Sequence, residues 1–250
     1  MADTTFDIFE SVGYTNRPYS IGLTRATVLY DNILWRSGEP KSGPPSAESI
    51  EYWTTMFTQI KLQGPLVLDI EHWDIYANAD QRQYLVDTAN QFKIADRGYQ
   101  VGYYGCIPQR DTFASLHRWH PSFTNWQDRN TAVKPIADAV DALYPSLYTL
   151  YAEPQRWEEY AVQNILEARR IAPGKRIVPM LWPQYHTNCD RKALQYIDQD
   201  FWYRQLALCY RMCDGIIIWR GVDAQVWNWQ FPWLATTKAF LEKIRSTNGL

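Results

Sequence analysis

The chain has 250 residues, with 25 Lys and Arg against 27 Asp and Glu, for a formal net charge of −2. That balance, with no basic run, argues against nucleic acid and against a membrane surface as partner. No apolar stretch approaches the roughly 20 residues needed to span a bilayer.

Short apolar runs recur along the chain, separated by polar loops and helix-like stretches. Phe6-Asp7-Ile8-Phe9 is the first and Thr27-Val28-Leu29-Tyr30 the second. The Pro- and Gly-rich stretch from Ser37 to Pro45 reads as a loop at a βα junction rather than an interdomain linker. Ala47 to Leu62 carries Ile50, Trp53, Phe57 and Ile60 at helical spacing. A strand then runs from Leu66 to Glu71, and a helix from Asp80 to Arg97 stops at Gly98. Val101 to Tyr104 and Ala142 to Tyr148 are the next two strands. The helix from Gln155 to Ile171 ends before Pro173-Gly174. After the strand Ile177 to Trp182, one long helix is expected from Asp190 to Cys213, with Leu194, Ile197, Phe201 and Leu208 in the core. The strand Gly215 to Trp219 and a helix from Trp233 to Ile244 complete the pattern.

This alternation argues for a parallel sheet. An open doubly wound sheet would place a Gly-rich phosphate loop after its first strand, and none is present. The expected fold is therefore α/β, a (β/α) TIM-type barrel of seven or eight strands, with residues 1–250 forming one catalytic domain.

The most informative segment is Pro65-Leu66-Val67-Leu68-Asp69-Ile70-Glu71-His72-Trp73. An apolar run interrupted by Asp69 reads as a buried strand reaching its C-terminal end. Side chains alternate along a strand, so Asp69 and Glu71 share a face while Leu68 and Ile70 take the other. Like charges at close range cannot both ionise easily, so one of the pair should hold its proton near neutral pH, as a general acid must. The same group of strand ends presents Tyr103, Tyr104, Tyr148, Trp182 and Trp219. The chain holds 12 Trp and 17 Tyr, an excess that serves either a core or a sugar cleft, because pyranose C–H faces stack on aromatic rings.

Cys106, Cys189, Cys209 and Cys213 lack the spacing of a structural zinc site, and Cys209 and Cys213 lie four apart on one helical segment, a poor geometry for a disulfide. His117 and His120 have no acidic or cysteine companion at a ligating spacing. No metal and no cofactor is expected.

Four ordered segments together resemble the hyaluronidase family of glycoside hydrolases. Asp69-Ile70-Glu71-His72-Trp73 matches its Asp-x-Glu-x-Trp strand end, and Tyr103-Tyr104-Gly105 its aromatic-Tyr-Gly segment. Ala142-Leu143-Tyr144-Pro145-Ser146-Leu147-Tyr148 and Gly215-Ile216-Ile217-Ile218-Trp219 are similar to two later strands. The resemblance implies a distorted barrel and a retaining hydrolysis of β-linked N-acetylhexosamine polymers in which the substrate's acetamido oxygen is the nucleophile. It makes Glu71 the general acid and base, and Asp69 the residue that orients the acetamido group. Tyr104 and Tyr148 would hold that group, and Trp219 would wall the sugar subsite. Trp73, Trp182 and Tyr185 are candidate subsite walls, and Gln184 and Asp223 candidate partners for sugar hydroxyls.

The chain departs from the family pattern in two places. Cys106-Ile107-Pro108-Gln109 stands where the family carries an acidic residue, and Asp74-Ile75 replaces its Arg-Pro pair. Fewer basic residues near the motif weaken the case for a uronic-acid polymer. Two other readings are a chitinase-like or muramidase-like hydrolase of chitin or peptidoglycan, and a non-catalytic carbohydrate-binding barrel. The intact Asp69/Glu71 pair argues against the last. The first five residues lack the basic and apolar regions of a secretory signal, which points to an intracellular or virion protein or to a targeting segment outside this chain. The glycan substrate suggests extracellular or virion-associated action.

Overall fold

The computed structural model describes residues 6–93, 98–221 and 224–247. Its strands are β1 (Asp7–Val12), β2 (Thr24–Arg25), β3 (Thr27–Tyr30), β4 (Leu66–Asp69), β5 (Val101–Tyr103), β6 (Ala142–Leu143), β7 (Arg176–Ile177), β8 (Met180–Leu181) and β9 (Gly215–Arg220). Every pairing between them is parallel. The helices are α1 (Asp31–Leu34), α2 (Ala47–Gln59), α3 (Ala79–Lys93), α4 (Pro121–Ala132), α5 (Lys134–Ala139), α6 (Pro154–Ile171), α7 (Gln199–Met212) and α8 (Pro232–Thr247).

The strands close into a ring of seven staves. β2 and β3 are one stave broken at Ala26, the first part pairing with β1 and the second with β4. β4 pairs with β5, and the bridge between Tyr104 and Tyr144 carries the ring on to β6. β6 pairs with β7, and the bridge between Ser146 and Met180 extends that contact to β8. β8 pairs with β9, and β9 returns to β1 over the register Asp7–Gly215 to Val12–Arg220. The short, interrupted staves make this a distorted (β/α) barrel.

Alternation along the staves sorts the core into three parts. Val67, Ala142, Tyr144, Val178, Met180 and Ile217 point into the barrel, with Phe9, Val28, Trp182 and Trp219 packed on them. Leu66 and Leu68 point outward instead, into a layer shared with Phe57 of α2, Leu85 and Phe92 of α3 and Ile136 of α5. Ile8, Ile216 and Ile218 do the same toward Trp157 and Ile165 of α6, Trp202 and Leu206 of α7 and Phe240 of α8. Strands buried on both faces must be apolar at nearly every position, which is why they read as continuous apolar runs.

The outward layer explains the helices. α6 begins at Pro154 in its first turn and buries Trp157, Tyr160, Ala161, Asn164, Ile165, Ala168 and Ile171, a stripe at three- and four-residue spacing. α2 starts at the cap Ser46, whose hydroxyl accepts from the Ser49 amide at 3.1 Å.

Several elements differ from the expectation. The segment from Asp190 to Cys213 is not one helix: Asp190–Lys192 forms a 3₁₀ turn and α7 begins only at Gln199. Leu194 takes a positive φ of 62° and is half exposed, and the chain bridges back to Gln184 through Tyr196 before Asp198 caps the Phe201 amide at 2.9 Å. A helical apolar spacing alone does not reveal such a cap inside the run. α4 and α5, between β5 and β6, were not anticipated. α3 is described to Lys93, and the expected end at Arg97 lies outside the described residues. The loop from Ser37 to Pro45, expected at a βα junction, instead joins two helices, because the short α1 intervenes between β3 and the loop that leads to α2. Cys106, Cys189, Cys209 and Cys213 are all free thiols.

Gly102 of β5 is required by close approach. A Cβ there would lie 2.3 Å from the Ala142 carbonyl oxygen and 2.7 Å from the Tyr144 ring. Gly102→Ala is therefore expected to destabilise the fold by about 1–3 kcal/mol, the usual range for overpacking. Urea unfolding followed by Trp fluorescence checks this, and an unchanged midpoint would contradict the crowding.

Candidate active site

Parallel staves bring all their C-terminal ends to one mouth, where barrels of this type place their chemistry. Asp69 ends β4 and shares the inward parity of Val67. Glu71 follows two residues on. Asp69 is largely enclosed, whereas Glu71 is exposed. The Asp69 carboxyl is pushed up to about 7, first by burial, then by the charges of Glu71 and Asp31. Its Oδ1 atom is buried with no hydrogen-bond partner. Sequence reasoning expected one proton-holding member of the pair, and the holder is the inner carboxyl. Desolvation decides it, because Asp69 sits inside the ring and Glu71 beyond its rim.

Tyr104 follows β5, and Tyr148 lies on the continuation of β6. Both are buried, and their rings lie 5.5 Å apart. The Tyr104 hydroxyl is 3.0 Å from Ser146 Oγ and is pushed up to about 12, chiefly by burial. Burial drives the Tyr148 hydroxyl well above its ordinary range, and the nearby charge of Asp69 adds to the shift. Both phenols therefore remain neutral hydrogen-bonding groups at any ordinary pH.

Trp219 lies near the end of β9 with inward parity. Its indole stacks on Tyr148 at 5.3 Å and 20°, and meets Trp182 edge-on at 5.3 Å and 81°. Trp219 Nε1 donates to the Tyr30 hydroxyl at 2.9 Å. Tyr30 is the register partner of Asp69 on β3. The Asp69 charge reaches Tyr30, adding to the upward shift that burial imposes on its phenol. His186 extends the aromatic group, with its ring 6.2 Å from Tyr148 and 5.9 Å from Trp182.

Asp69, Glu71, Tyr104, Tyr148, Trp182 and Trp219 thus meet at one mouth. Gln184 is close by, but its amide is taken up internally. Its Oε1 accepts from Trp182 Nε1 at 3.2 Å and from Arg220 Nε at 3.0 Å, and its Nε2 donates to the Leu194 carbonyl at 2.7 Å. Gln184 is therefore corrected from a partner for sugar hydroxyls to a support for Trp182. Tyr185 is corrected too. It is buried in the outer layer near Phe201, and its hydroxyl accepts from Lys192 Nζ at 3.2 Å, because it takes the opposite parity to Gln184. Trp73 is mostly buried against Trp35 and Tyr84 and donates to the Lys41 carbonyl at 3.1 Å, but it also borders the cavity beside Glu71. Asp223 lies outside the described residues.

Sequence reasoning missed Tyr30, Ser146, Gln109, Arg110 and His186. The rule that strand ends carry chemistry would have found Tyr30, and Ser146 lies inside a segment already singled out. Gln109 lies in a segment noted only for lacking the family's acidic residue, and Arg110 and His186 lie in loops and carried no pattern. Asp31, at the start of α1, is a third carboxylate near the pair. It is held by His72 at 3.0 Å and by Lys41 at 3.7 Å. Among the described residues no group of His, Cys, Asp or Glu is arranged to hold a metal ion.

The architecture is a distorted (β/α) barrel, and solved structures share it. The chain is similar in fold to bee venom hyaluronidase in complex with a hyaluronic acid tetramer, at a TM-score of 0.61 and 15% identity over 96% of each chain. A monoclinic crystal structure of the same bee enzyme gives 0.55 and 14%, covering 97% of this chain and 98% of that one. A GH18 chitinase from Pseudoalteromonas aurantia gives 0.48 and 11%, covering 78% of this chain and 66% of that one. No protein-family model and no curated protein sequence matches the chain.

The raised Asp69 pKa fixes the sign of a stability effect. Unfolded aspartate releases its proton at its ordinary value of 3.8, whereas folded Asp69 keeps it to about 7. The folded state binds more protons across that interval, so stability falls as pH rises through it and levels off above the folded value. Asp69→Asn removes this penalty. Its thermal midpoint should match that of the parent at pH 4 and exceed it at pH 8 by on the order of 5 °C. A midpoint difference that does not change with pH would contradict a buried, proton-holding Asp69.

Proposed function

We propose that the chain is a retaining, hyaluronidase-like glycoside hydrolase that cleaves β-linked N-acetylhexosamine-containing polysaccharide with the substrate's own acetamido oxygen as nucleophile. One observation carries this reading: Asp69 at the end of β4 and Glu71 two residues beyond it lie at the same side of the barrel mouth, with Asp69 close enough to the buried Tyr148 phenol and the partly exposed Tyr30 phenol for its charge to shift both. Two carboxylates on one strand approach a sugar from the same side. An enzyme nucleophile would need a second carboxylate across the anomeric carbon, about 5–5.5 Å from the acid. Asp31, the nearby third carboxylate, is engaged by His72 and Lys41. The acetamido group supplies the attacking oxygen instead.

In this mechanism the pair acts as a unit. Before substrate binds, burial and its acidic neighbours hold the Asp69 carboxyl up to about 7, so it is partly protonated at neutral pH. An acetamido N–H placed against Asp69 donates to it and favours its ionised form, while Glu71 faces the leaving oxygen as the general acid. Tyr148 directs the acetamido oxygen toward the anomeric carbon. Ionised Asp69 stabilises the positive charge that develops on the acetamido nitrogen, and Glu71 then activates water as a base. Trp219, fixed by Tyr30 and by its stack on Tyr148, offers a flat wall for the sugar ring.

Reducing-end release from hyaluronan, chondroitin, chitin oligomers and peptidoglycan identifies the polymer. On the best substrate, Glu71→Gln should lower kcat by roughly 10²–10⁴-fold, the usual weight of a general acid, with binding retained. A substrate lacking the 2-acetamido group should not be cleaved, and equal cleavage of it would overturn substrate assistance. Binding without turnover by the unmodified protein would replace the enzyme reading with that of a carbohydrate-binding barrel.

A further inference from the structure

Arg220 is the last residue of β9, and its parity is opposite to that of its neighbour Trp219. It therefore leaves the barrel axis with Ile216 and Ile218 and enters the layer behind the mouth, where it is 3% exposed. A guanidinium in such a layer must be satisfied by its surroundings, because a buried charge without partners is strongly destabilising. Its partners come from three strand-end loops. Nη1 donates to the carbonyls of Gly13, after β1, and of Gly221, after β9, at 2.8 and 3.1 Å. Nη2 donates to Gln225 Oε1, also after β9, at 2.7 Å, and the guanidinium lies 4.2 Å from the centre of the Tyr14 ring. Nε donates to Gln184 Oε1, after β8, at 3.0 Å.

The Gln184 contact is the one that reaches the site. Gln184 Oε1 also accepts from Trp182 Nε1 at 3.2 Å, while Gln184 Nε2 donates to the Leu194 carbonyl at 2.7 Å. With two donors at its oxygen and an acceptor at its nitrogen, the amide has a single orientation. The Trp182 N–H is thereby anchored from behind. Its ring is held edge-on to Tyr148, at 5.7 Å and 68°, and to Trp219, at 5.3 Å and 81°. Trp182 is only partly buried, so packing covers one side of the ring and the anchored N–H selects its plane. Tyr196 closes the arrangement: its hydroxyl donates to the same Gln225 oxygen at 2.9 Å, and its backbone bridges that of Gln184.

We propose that Arg220 is the positioning residue of the aromatic wall. Through Gln184 it sets the plane of Trp182, and through Trp182 the alignment of Trp219 and Tyr148, without touching the ligand. The consequence at the substrate rests on the glycosidase reading, whereas the effect on the wall does not. The planar fork suits this task, because its rigid donors hold Gln184, Gln225 and Gly13 at once, which the single ammonium of a lysine cannot do.

Near-ultraviolet circular dichroism reads the wall directly, since closely packed indoles couple. The chain holds 12 Trp, so the Trp182 signal is taken as the difference between each protein and its Trp182→Phe version. The parent should give a clear difference band. Arg220→Met and Gln184→Leu should each remove most of it, and Arg220→Lys, which keeps the charge and loses the fork, should retain part. On the best polymer, Arg220→Met and Gln184→Leu should raise KM about fivefold to tenfold and leave kcat within about threefold, the pattern of a lost binding contact of aromatic-stack size. If Arg220 serves stability alone, its loss lowers the folded fraction and with it the apparent kcat, while KM and the band per folded molecule stay as in the parent. That result overturns the proposal, as does a band that survives in folded Arg220→Met but is lost in Gln184→Leu. Should Arg220→Met not fold, Gln184→Leu decides, because it leaves Arg220 its contacts to Gly13, Gly221, Gln225 and Tyr14. An unchanged band in that variant overturns the relay. The spectral outcomes need no turnover, so an inactive parent ends the glycosidase reading and leaves this test in force.

Discussion

Strand β4 lies between β3 and β5 and is buried on both faces, so its side chains have only two environments available. Leu66, Leu68 and Ile70 enter the apolar layer beneath the helices, which commits Val67, Asp69 and then Glu71 to the barrel axis. The apolar positions thus aim the polar ones. A one-residue slip of register would place both carboxylates under α2 and α3, where an unpaired charge costs several kcal/mol. Burial of the outward residues therefore holds an otherwise unfavourable pair of acids at the mouth. The same burial sets their inequality, since the inner carboxyl is desolvated and the outer one reaches water.

The rest of the mouth is built around that pair by short-range ties between staves. Trp219 from β9 is fixed to Tyr30 from β3, and Tyr30 lies in register with Asp69. Trp182 is held by Gln184, which Arg220 in turn holds from the end of β9. Arg220 is buried and spreads its charge over the Gly13 and Gly221 carbonyls, the Gln225 side chain and the Tyr14 ring. The Trp219–Tyr30, Arg220–Gln184 and Arg220–Gly13 ties join residues far apart in sequence, so the aromatic wall exists only once the barrel is closed. Preorganisation of this kind lets a site orient a ligand without first ordering itself.

Much of this was legible in the chain. The two-faced burial of parallel strands gives apolar runs, and those runs located β3, β4, β5 and β9 to within a residue or two at most ends. Strand alternation placed Asp69 and Glu71 on one face without any tertiary information. The interval from Asp190 to Cys213 was misread because an apolar spacing does not show where a helix is capped, and Asp198 caps α7 eight residues into it. Gln184 and Tyr185 were both taken for sugar contacts because they lie beyond a strand end. Position along the chain does not tell whether an amide is already saturated, or which of two neighbours turns inward.

The sequence by itself determined the alternation of elements, the parallel barrel and the shared face of the two carboxylates, because these follow from local periodicity and from which residues tolerate burial. Only the tertiary structure decided which carboxyl keeps its proton, which aromatic rings form the wall, and that Arg220 stands behind it. Those outcomes depend on desolvation and on contacts between staves distant in sequence, and neither quantity is defined until the ring has closed.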